Sequence, residues 1–423
     1  MDVIIHPTCP RGRIKAIPSK SFLHRALICA ALCQGRSVIR NIVYSDDILA
    51  TLNALRKIGV KTIQYNNHLI INGIDVKNTK IDTVTIDANQ SGSTLRFFIP
   101  ILGLIADNAT IIGKESLFTR PLDEYEKLFK EQGLTFEKDK SFISIKGSIK
   151  ACHYEISSEK SSQFISGLLF ALPLLEGDST IRITGKKSSF SYVMMTINVL
   201  RDFGINVEIT DDIVIIKGGQ KFTPTHYTIE GDYSMAALYL AMGTLNGRIQ
   251  VNGLKHDSIQ GDQAIVDILT SANGNISYIK NSFVALKSQI SSINCSLTDC
   301  VDLGPILFVL ALFATNPSVF KDVSALRYKE SDRLNCMLTE LRRLGAKILF
   351  DDVANTVTVI PQKYYQLNEG LDTYNDHRLA MAFTLLAVKL DKSLVIRGFD
   401  ATNKSYPHII DDLISLGFRI DII

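Results

Sequence analysis

Five cationic side chains stand beside predicted helix starts, where a helix buried in an apolar core does not require a charge. They are Lys20, Arg120, Arg333, Arg378 and Lys404. The first turn of a helix has unpaired backbone N–H groups and the positive end of the helix dipole, and both attract anions. Arginine binds phosphate through two parallel hydrogen bonds, and lysine binds it as a point charge. Because five cations exceed what one carboxylate requires, this set predicts a site for two phosphate-sized anions.

Two carboxylates and several neutral polar residues occur in the same segments. Asp302 and Glu330 are acidic residues among these cations, which makes them candidates for a general base and a general acid. Hydroxyl and amide side chains suit a polyhydroxylated ring, and several lie near the same helix starts: Ser21, Ser161, Ser162, Gln163, Ser189 and Tyr192. Each of these cations, taken alone, is typical of a solvated protein surface. Their shared positions relative to the helix starts favour a single site.

For four further polar residues, capping a helix is an alternative to a role in the site. His377 stands beside Arg378 and either orients a substrate phosphate or caps its helix. Asp332, Asp232 and Asp262 occur where a helix begins, and aspartate is a preferred capping residue. We therefore predict these three aspartates as helix caps.

Composition and charge limit the class of protein. The 423 residues include 46 Lys and Arg against 43 Asp and Glu, and 46% are hydrophobic. This balance is ordinary for a globular protein, excludes a disordered or fibrous chain, and lacks the basic excess of a nucleic-acid-binding protein. The longest apolar runs, 97–106 and 306–314, are far below the ~18 residues that span a bilayer. With no signal-peptide core at the N-terminus, the sequence predicts a cytoplasmic protein without a membrane partner.

The seven cysteines are scattered along the chain and form no CxxC motif. Such a set favours reduced thiols that pack as small apolar residues. We predict neither a disulfide framework nor a metal site from them.

Six apolar segments with helical spacing position the candidate residues. Each begins near a Ser or an Asp, and they start at residues 20, 91, 161, 232, 302 and 376, which are 70 to 74 residues apart. Their composition is too apolar for surface helices, so we predict six buried helices. Segments in such a regular series indicate an internal repeat.

A second series of amphipathic helices runs in phase with the first. Each of its members ends at a glycine, which adopts the left-handed conformation that closes a helix without steric cost. The glycines are Gly59, Gly133, Gly204, Gly274, Gly345 and Gly417. Strand-rich stretches lie between and after the helices, so the predicted unit is helix, strand, helix, strand, strand.

The ends of the chain indicate how the copies are grouped. The sixth copy stops one strand after its glycine, and residues 1–17 are strand-like without a helix of their own. We therefore expect residues 1–17 to complete the sixth unit, which gives one domain at 18–228 and another at 1–17 plus 229–423. Equivalent positions of symmetric units share a face, so the candidate residues would converge on the cleft between the domains. An open solenoid is the alternative, although solenoid repeats are usually shorter.

At these motifs the sequence resembles the 5-enolpyruvylshikimate-3-phosphate synthase family over essentially its whole length. The resemblance rests on PSKSFLHRALICAAL, SGSTLRFF, SSQFISGLLFALPLL, EGDYSMAA, SIQGD, VDLGPI, LRYKESDRL, YNDHRLAMAF and NKSYP. It implies an α/β fold, a two-domain inside-out α/β barrel of six βαβαββ units, three per domain. It also implies transfer of the enolpyruvyl group of phosphoenolpyruvate to the 5-hydroxyl of shikimate 3-phosphate, with release of phosphate. No metal or organic cofactor is implied, and we expect a monomer whose partners are these two small molecules.

The resemblance assigns roles to individual residues. Lys20 would contact both substrates, Asp302 would be the base for the 5-hydroxyl, and Glu330 would be the acid that protonates the enol methylene. The positions that match the shikimate 3-phosphate site are Lys20, Ser21, Arg25, Ser161, Ser162, Gln163, Ser189, Asp302 and Lys329. The positions that match the phosphoenolpyruvate site are Lys20, Gly92, Arg120, Gln163, Arg333, Arg378 and Lys404.

Some positions depart from the family pattern, and two other functions compete. Pro18 replaces the usual glycine before SKS, residues 88–93 replace a Gly-Asn-Ala-Gly-Thr-like loop, and Ala325 replaces an asparagine. A related transferase that acts on a UDP-amino sugar usually has a cysteine where this chain has Glu115. A non-catalytic anion-binding protein of the same fold would need the cations but neither Asp302 nor Glu330.

Overall fold

The computed structural model describes residues 1–366 and 369–423. The chain forms two compact units. Pro18–Ile229 is the N-terminal unit, and Met1–Ile17 together with Glu230–Ile423 is the C-terminal unit. The second boundary observed here follows Ile229, one residue later than the boundary that the sequence predicts. Each unit has its own apolar core, so each is described separately below.

The helices of the described residues alternate between fully buried and amphipathic. In chain order they are α1 (Lys20–Ala31), α2 (Asp46–Lys57), α3 (Gly92–Ile105), α4 (Glu115–Phe118), α5 (Asp123–Glu131), α6 (Gln163–Ala171), α7 (Ser191–Asp202), α8 (Tyr233–Asn246), α9 (Ala264–Ser271), α10 (Gly304–Ala311), α11 (Arg333–Arg343), α12 (His377–Thr384) and α13 (Ile409–Ser415). The apolar segments form α1, α3, α6, α8, α10 and α12, nearly all of whose residues are buried. Their length and composition leave no polar face for solvent.

Short strands separate the helices. In chain order they are β1 (Val3–Ile5), β2 (Arg11–Lys15), β3 (Arg36–Arg40), β4 (Lys61–Tyr65), β5 (His68–Asn72), β6 (Ile81–Asp87), β7 (Ala106–Ile112), β8 (Thr135–Lys138), β9 (Phe142–Lys146), β10 (His153–Ser157), β11 (Ser179–Thr184), β12 (Val207–Thr210), β13 (Ile213–Ile216), β14 (His226–Thr228), β15 (Arg248–Asn252), β16 (Asn275–Ile279), β17 (Ser282–Leu286), β18 (Asn294–Ser296), β19 (Ser318–Lys321), β20 (Lys347–Asp351), β21 (Thr356–Ile360), β22 (Leu371–Asp372), β23 (Leu394–Arg397) and β24 (Ile420–Ile422). Within the described ranges, no helix is both long enough and apolar enough to cross a membrane.

The strands form small four-stranded sheets that share one pairing pattern. In the sheet β6-β7-β9-β8, for example, β6 and β7 are parallel, and β7, β9 and β8 are successively antiparallel. The repeat unit predicted from the sequence lacked the strand that corresponds to β6, the parallel strand at the edge of each sheet. That strand has only two or three residues in β14, β18 and β22, too few to produce a visible alternation of apolar and polar residues.

Residues 1–17 are divided between two sheets of the C-terminal unit. The strand β1 lies between β23 and β24, antiparallel to both, and so completes the last sheet as expected. The strand β2 instead pairs in parallel with β15, in a different sheet. The expectation that the whole segment completes the sixth copy was therefore wrong for β2. In the N-terminal unit, β14 pairs with β3 in the same parallel arrangement.

Helix ends follow the predicted chemistry with one exception. Gly59, Gly133, Gly204, Gly345 and Gly417 have φ between 70° and 99°, the left-handed conformation that closes a helix. At the sixth position Asn273 adopts this conformation instead, with φ 66°. Gly274 is needed for a different reason, because a Cβ there would lie 2.6 Å from the carbonyl oxygen of Leu269.

The position of β1 predicts that shortening one of its buried side chains strongly lowers the free energy of unfolding. Ile5 is fully buried between Leu394 and Ile420 of the neighbouring strands, whereas Ile4 points to the other face of the sheet and is partly exposed. We expect Ile5→Ala to lower the free energy of unfolding by about 2–5 kcal/mol, as large-to-small changes in a core do. Ile4→Ala is the matched control, and chemical denaturation measures both. Equal losses for the two variants would contradict this placement of β1.

Candidate active site

Arg25 of α1 is a buried cation that is hydrogen-bonded to neutral groups. Its side chain is 2% exposed. Nε donates to the Thr196 hydroxyl at 2.8 Å, while Nη1 and Nη2 donate to the carbonyl oxygens of Ser21 at 2.8 Å and Tyr192 at 3.0 Å. The guanidinium also lies 5.3 Å from the centre of the Phe97 ring. Burial lowers the pKa of Arg25 to about 10, because no carboxylate offsets the loss of water.

Arg96 of α3 is held in the same way. It is 3% exposed, Nη1 donates to Gln163 Oε1 at 2.8 Å, and Nη2 donates to the carbonyl oxygen of Pro121 at 3.0 Å. Its Nε is buried and has no acceptor in the described part of the chain. Burial, reinforced by the neighbouring charge of Arg120, lowers the pKa of Arg96 to about 9. The sequence prediction assigned Arg96 no role.

Arg120 approaches the first residue of α3. A Cβ added to Gly92 would lie 2.7 Å from Arg120 Nη1 and 3.3 Å from Arg96 Nη1, so glycine is required for this approach. The Nε of Arg120 is buried without an acceptor among the described residues. Ser91 caps α3 by accepting the N–H of Thr94. The structure thus brings two guanidinium groups to the start of a helix, as an anion site requires.

Gln163, the first residue of α6, contacts the residues around Gly92. Gln163 donates through Nε2 to Ser93 Oγ at 3.0 Å and accepts from Arg96. Ser161 Oγ accepts the N–H of Gln163 at 3.2 Å, and Ser162 is buried directly before the helix. Contacts between side chains therefore join Gln163 to the Gly92 region. We call Gly92, Arg96, Arg120 and Gln163 the N-terminal cluster.

Lys20 and Ser189 complete the predicted residues of this unit. Lys20 at the start of α1 donates to Asp47 Oδ2 at 2.7 Å, and both side chains are mostly buried. Ser189 is buried and has φ 55°, a left-handed conformation that is costly for a residue with a side chain. Its carbonyl oxygen accepts the N–H of Tyr192 at 3.1 Å.

In the C-terminal unit, Arg333 joins two carboxylates. Its Nε donates to Asp376 Oδ2 at 2.7 Å, its Nη2 donates to Asp376 Oδ1 at 3.2 Å, and its Nη1 donates to Asp302 Oδ1 at 2.6 Å. Burial alone would lower the pKa of Arg333, but the two carboxylates outweigh it and raise that pKa. In the same way, burial would raise the pKa of Asp376, but Arg333 lowers it. Arg333 is therefore a fixed cation.

Asp302 is surrounded by positively charged side chains of this unit. Besides Arg333, it has Lys329 Nζ at 3.6 Å from Oδ1 and Arg378 Nη2 at 4.0 Å from Oδ2. Burial lowers the pKa of Lys329. Arg378 donates through Nη1 to the carbonyl oxygen of Ser234 at 2.8 Å, and its Nε has no acceptor among the residues described. Three cationic side chains therefore lie within 4.0 Å of the Asp302 carboxylate.

Glu330 lies in a second arrangement with His377 and Lys404. Its Oε2 is 2.9 Å from His377 Nδ1 and 3.6 Å from Lys404 Nζ. Lys404 also donates to the carbonyl oxygen of Asn375, and His377 Nε2 is 3.2 Å from the Ser405 hydroxyl. The cap of α12 is Asp376, which accepts the N–H of Arg378 at 2.9 Å. Of the two predicted roles of His377, the capping role was therefore wrong.

Asp262 belongs to the same group, although the sequence predicts a helix cap. Its Oδ2 accepts the hydroxyl of Ser234, while its Oδ1 is buried without a partner in the described ranges. Burial raises its pKa to about 7, and the negative charge of Asp302 adds to this shift. Asp232 and Asp332 do cap their helices, by accepting the N–H groups three residues later. We call Asp262, Asp302, Lys329, Glu330, Arg333, Asp376, His377, Arg378 and Lys404 the C-terminal cluster.

One part of this cluster has the spacing of a metal site. Ligand atoms of Glu330, Asp376 and His377 lie within 4.8 Å of one another. However, Lys404 Nζ is 3.6 Å from the Glu330 carboxylate, and Arg333 occupies both oxygens of Asp376. These cations already supply the positive charge that a metal would bring, so we assign no metal to the cluster.

Comparison of the fold with solved structures gives its class. EPSP synthase from Acinetobacter baumannii superposes with a TM-score of 0.78 at 21% sequence identity, over 100% of both chains. At this level of identity the likeness concerns the fold, and it confirms the predicted mixed α/β class.

Comparison of the sequences gives the family. A model of EPSP synthase (3-phosphoshikimate 1-carboxyvinyltransferase) matches residues 7–413. The 3-phosphoshikimate 1-carboxyvinyltransferase of Clostridium acetobutylicum is 40% identical over 98% of this chain and 97% of that protein. The proteins of the same name from Clostridium kluyveri and Clostridioides difficile are 39% and 35% identical, each over 99% of this chain and 98% of that protein. This chain belongs to the EPSP synthase family, and the resemblance and the enzyme class predicted from its sequence are confirmed.

The contact at Gly92 predicts a variant that folds but binds anions poorly. In Gly92→Ala the new methyl group would displace the tip of Arg120, a flexible side chain, so the fold has no backbone clash to absorb. Alanine at a helix start also costs no stability relative to glycine. We expect the affinity for phosphoenolpyruvate to fall about tenfold or more, equivalent to ~1.4 kcal/mol. The melting temperature is the control and should not fall, and unchanged affinity would contradict the assignment of Arg120 to an anion site.

The raised pKa of Asp262 predicts a pH-dependent stability. Burial raises the pKa of this carboxyl to about 7 in the folded protein, from an ordinary value of 3.8. Because the folded state binds more protons than the unfolded state between these pH values, the protonated carboxyl adds to the free energy of unfolding. This contribution is complete below the unfolded pKa and is lost as pH rises through the folded pKa. We expect wild type to lose unfolding free energy relative to Asp262→Asn between about pH 5 and 7, by at most ~1.4 kcal/mol per pH unit.

Denaturation at several pH values measures this difference. The exposed Asp267 provides a matched control, because Asp267→Asn removes a carboxylate that faces solvent. A difference between wild type and Asp262→Asn that stays constant with pH would show that the carboxyl is ionised throughout.

Proposed function

We propose that this chain transfers the enolpyruvyl group of phosphoenolpyruvate to the 5-hydroxyl of shikimate 3-phosphate and releases phosphate. One observation carries the proposal: Arg25 and Arg96 are 2% and 3% exposed, and their hydrogen-bond partners among the described residues are all neutral. Burying a cation without a counter-charge costs several kcal/mol, and an anionic ligand would offset that cost. The names of the relatives supply the identity of the anions.

The proposed binding residues follow from the two clusters. In the N-terminal unit, Arg25, Ser161, Ser162 and Ser189 would bind shikimate 3-phosphate together with Lys20, Ser21 and Gln163. Gly92, Arg120 and Gln163 would bind the phosphate or carboxylate of phosphoenolpyruvate, which the approach of Arg120 to the start of α3 supports. In the C-terminal unit, Arg333, Arg378 and Lys404 would bind phosphoenolpyruvate, and Lys329 would bind shikimate 3-phosphate.

The proposed chemistry uses the two carboxylates of the C-terminal cluster. Asp302 would accept the proton of the 5-hydroxyl as its oxygen attacks C2 of phosphoenolpyruvate, and Glu330 would deliver a proton to C3. Three cations hold Asp302 in place, and His377 and Lys404 orient Glu330. Loss of a proton from the new methyl group and of phosphate from C2 would then give the enol ether and inorganic phosphate. The fixed cations would stabilise the charge on the phosphate throughout.

The finer points of the predicted architecture belong to the same proposal. We propose that the small sheets mark six βαβαββ units arranged as an inside-out barrel, three to a domain, and that both clusters serve one pair of substrates. The shared strand pairing of the sheets supports the unit. A site in the cleft between the domains, a monomeric state and a cytoplasmic location remain predictions from the sequence.

A direct assay tests the reaction. The protein is mixed with phosphoenolpyruvate and shikimate 3-phosphate, and released phosphate is measured with the product mass. We expect release only when both substrates are present, and none with UDP-N-acetylglucosamine as the acceptor. Release with the sugar nucleotide would favour the related transferase, and no release from a folded protein would favour a non-catalytic anion-binding role.

The role of Asp302 predicts a separation of binding from turnover. Asp302→Asn keeps an oxygen that accepts from Arg333 but loses the charge that accepts a proton. We expect kcat to fall at least about 100-fold, within the usual contribution of a general base, while shikimate 3-phosphate still binds. Asp267→Asn, the exposed aspartate, should leave kcat unchanged. Near-normal turnover of Asp302→Asn would remove Asp302 from this role.

A further inference from the structure

A chain of buried hydrogen bonds links three helices of the N-terminal unit. His24 Nδ1 of α1 lies 2.8 Å from Thr51 Oγ1 of α2, which lies 2.7 Å from Thr94 Oγ1 of α3. The Thr94 hydroxyl then donates to Ser91 Oγ at 2.8 Å. All four side chains are 0% exposed. The chain therefore runs through the core and ends at the residue that caps α3.

The direction of each hydrogen bond follows from counting protons. A hydroxyl has one proton, so a Thr94 hydroxyl that donates to Ser91 must accept from Thr51. Thr51 has then used its proton and must accept from Nδ1 of His24. His24 is consequently a neutral imidazole with its proton on Nδ1, and its Nε2 has no partner in the described part of the chain. Burial, which lowers the pKa of His24 to about 3, keeps it neutral.

The far end of the chain fixes the start of α3. Ser91 Oγ accepts from both the N–H of Thr94, at 3.2 Å, and its hydroxyl. The next residue is Gly92, which Arg120 and Arg96 approach. The position of the Ser91 cap therefore sets the position of Gly92, the first residue of α3, relative to these guanidinium groups.

We propose that His24 and Thr51 are positioning residues for the anion site at Gly92. They contact no ligand themselves, because both are fully buried, and they act through Thr94 and Ser91. The inference rests on the proposed function, in which this site binds phosphoenolpyruvate. A polar chain is not required for packing here, since buried hydrogen-bonded pairs can be replaced by apolar groups of the same shape at little cost. Its use across three helices is explained by the geometry that it imposes on the cap.

The test compares variants that break the chain with variants that keep it. Thr51→Val has nearly the shape of threonine but leaves Nδ1–H of His24 without an acceptor, whereas Thr51→Ser keeps the hydroxyl. His24→Leu removes the donor, and His24→Asn retains an N–H near the position of Nδ1. Thr244→Val is the matched control, because Thr244 is also 0% exposed and donates only within its own helix, to Leu240 and Ala241.

The measured quantities are KM for each substrate, kcat and the melting temperature. We expect Thr51→Val and His24→Leu to raise KM for phosphoenolpyruvate about fivefold to tenfold, the loss expected for an unpaired buried group. KM for shikimate 3-phosphate should change less than about twofold in the same variants. Thr51→Ser and His24→Asn should restore KM for phosphoenolpyruvate, and Thr244→Val should change neither KM even if it lowers the melting temperature.

Several results would overturn the inference. Equal rises in the KM values for the two substrates would overturn it, and so would no rise in either. Failure of Thr51→Ser and His24→Asn to restore the wild-type KM for phosphoenolpyruvate would also overturn it. A wild-type protein that releases no phosphate would instead refute the proposed function. In that case calorimetry with inorganic phosphate decides between the same variants: weaker binding by Thr51→Val than by Thr51→Ser supports the positioning role, and equal binding contradicts it.

Discussion

The structure depends on holding two arginine side chains of the N-terminal unit in the interior with no carboxylate hydrogen-bonded to them in the described part of the chain. Arg25 and Arg96 are buried, and they are fixed by hydroxyl, amide and carbonyl oxygens. These neutral acceptors set the direction of each guanidinium without neutralising its charge, so the field of the cation remains available to a ligand. Helices supply most of these acceptors, and the carbonyl oxygen of Pro121 comes from the loop between α4 and α5.

The C-terminal unit solves a different problem with paired charges. Arg333 is clamped by Asp376 and Asp302, and Glu330 is flanked by His377 and Lys404. Pairing keeps the cations fixed and leaves carboxylates among them that can exchange protons. The N-terminal unit thus offers buried arginines held by neutral acceptors, and the C-terminal unit offers carboxylates among fixed cations.

Much of this arrangement could be predicted from the sequence, because it follows from helix starts. The periodic apolar segments locate α1, α3, α6, α8, α10 and α12. The first turns of these helices supply Lys20, Gly92, Gln163, His377 and Arg378, and the segments before α5 and α11 supply Arg120, Lys329 and Glu330. Asp262 was misjudged because its surroundings, Ser234 and Asp302, come from distant segments whose contact has no local signal. The chain from His24 to Ser91 was missed for the same reason, since buried threonines in apolar helices look like packing residues. Gly274 was misread because spacing alone does not distinguish a left-handed glycine from one that permits a close approach.

The central claim is that buried, uncompensated arginines make anionic charge the main requirement for binding. Thermal unfolding with shikimate 3-phosphate, compared with unphosphorylated shikimate at the same concentration, tests it most directly. A ligand at 100 times its dissociation constant stabilises the folded state by about 2.7 kcal/mol, so the expected shift is readily measured. The account predicts a clear rise in melting temperature with shikimate 3-phosphate and little or none with shikimate. Equal shifts with the two compounds, or no shift with either, would contradict it.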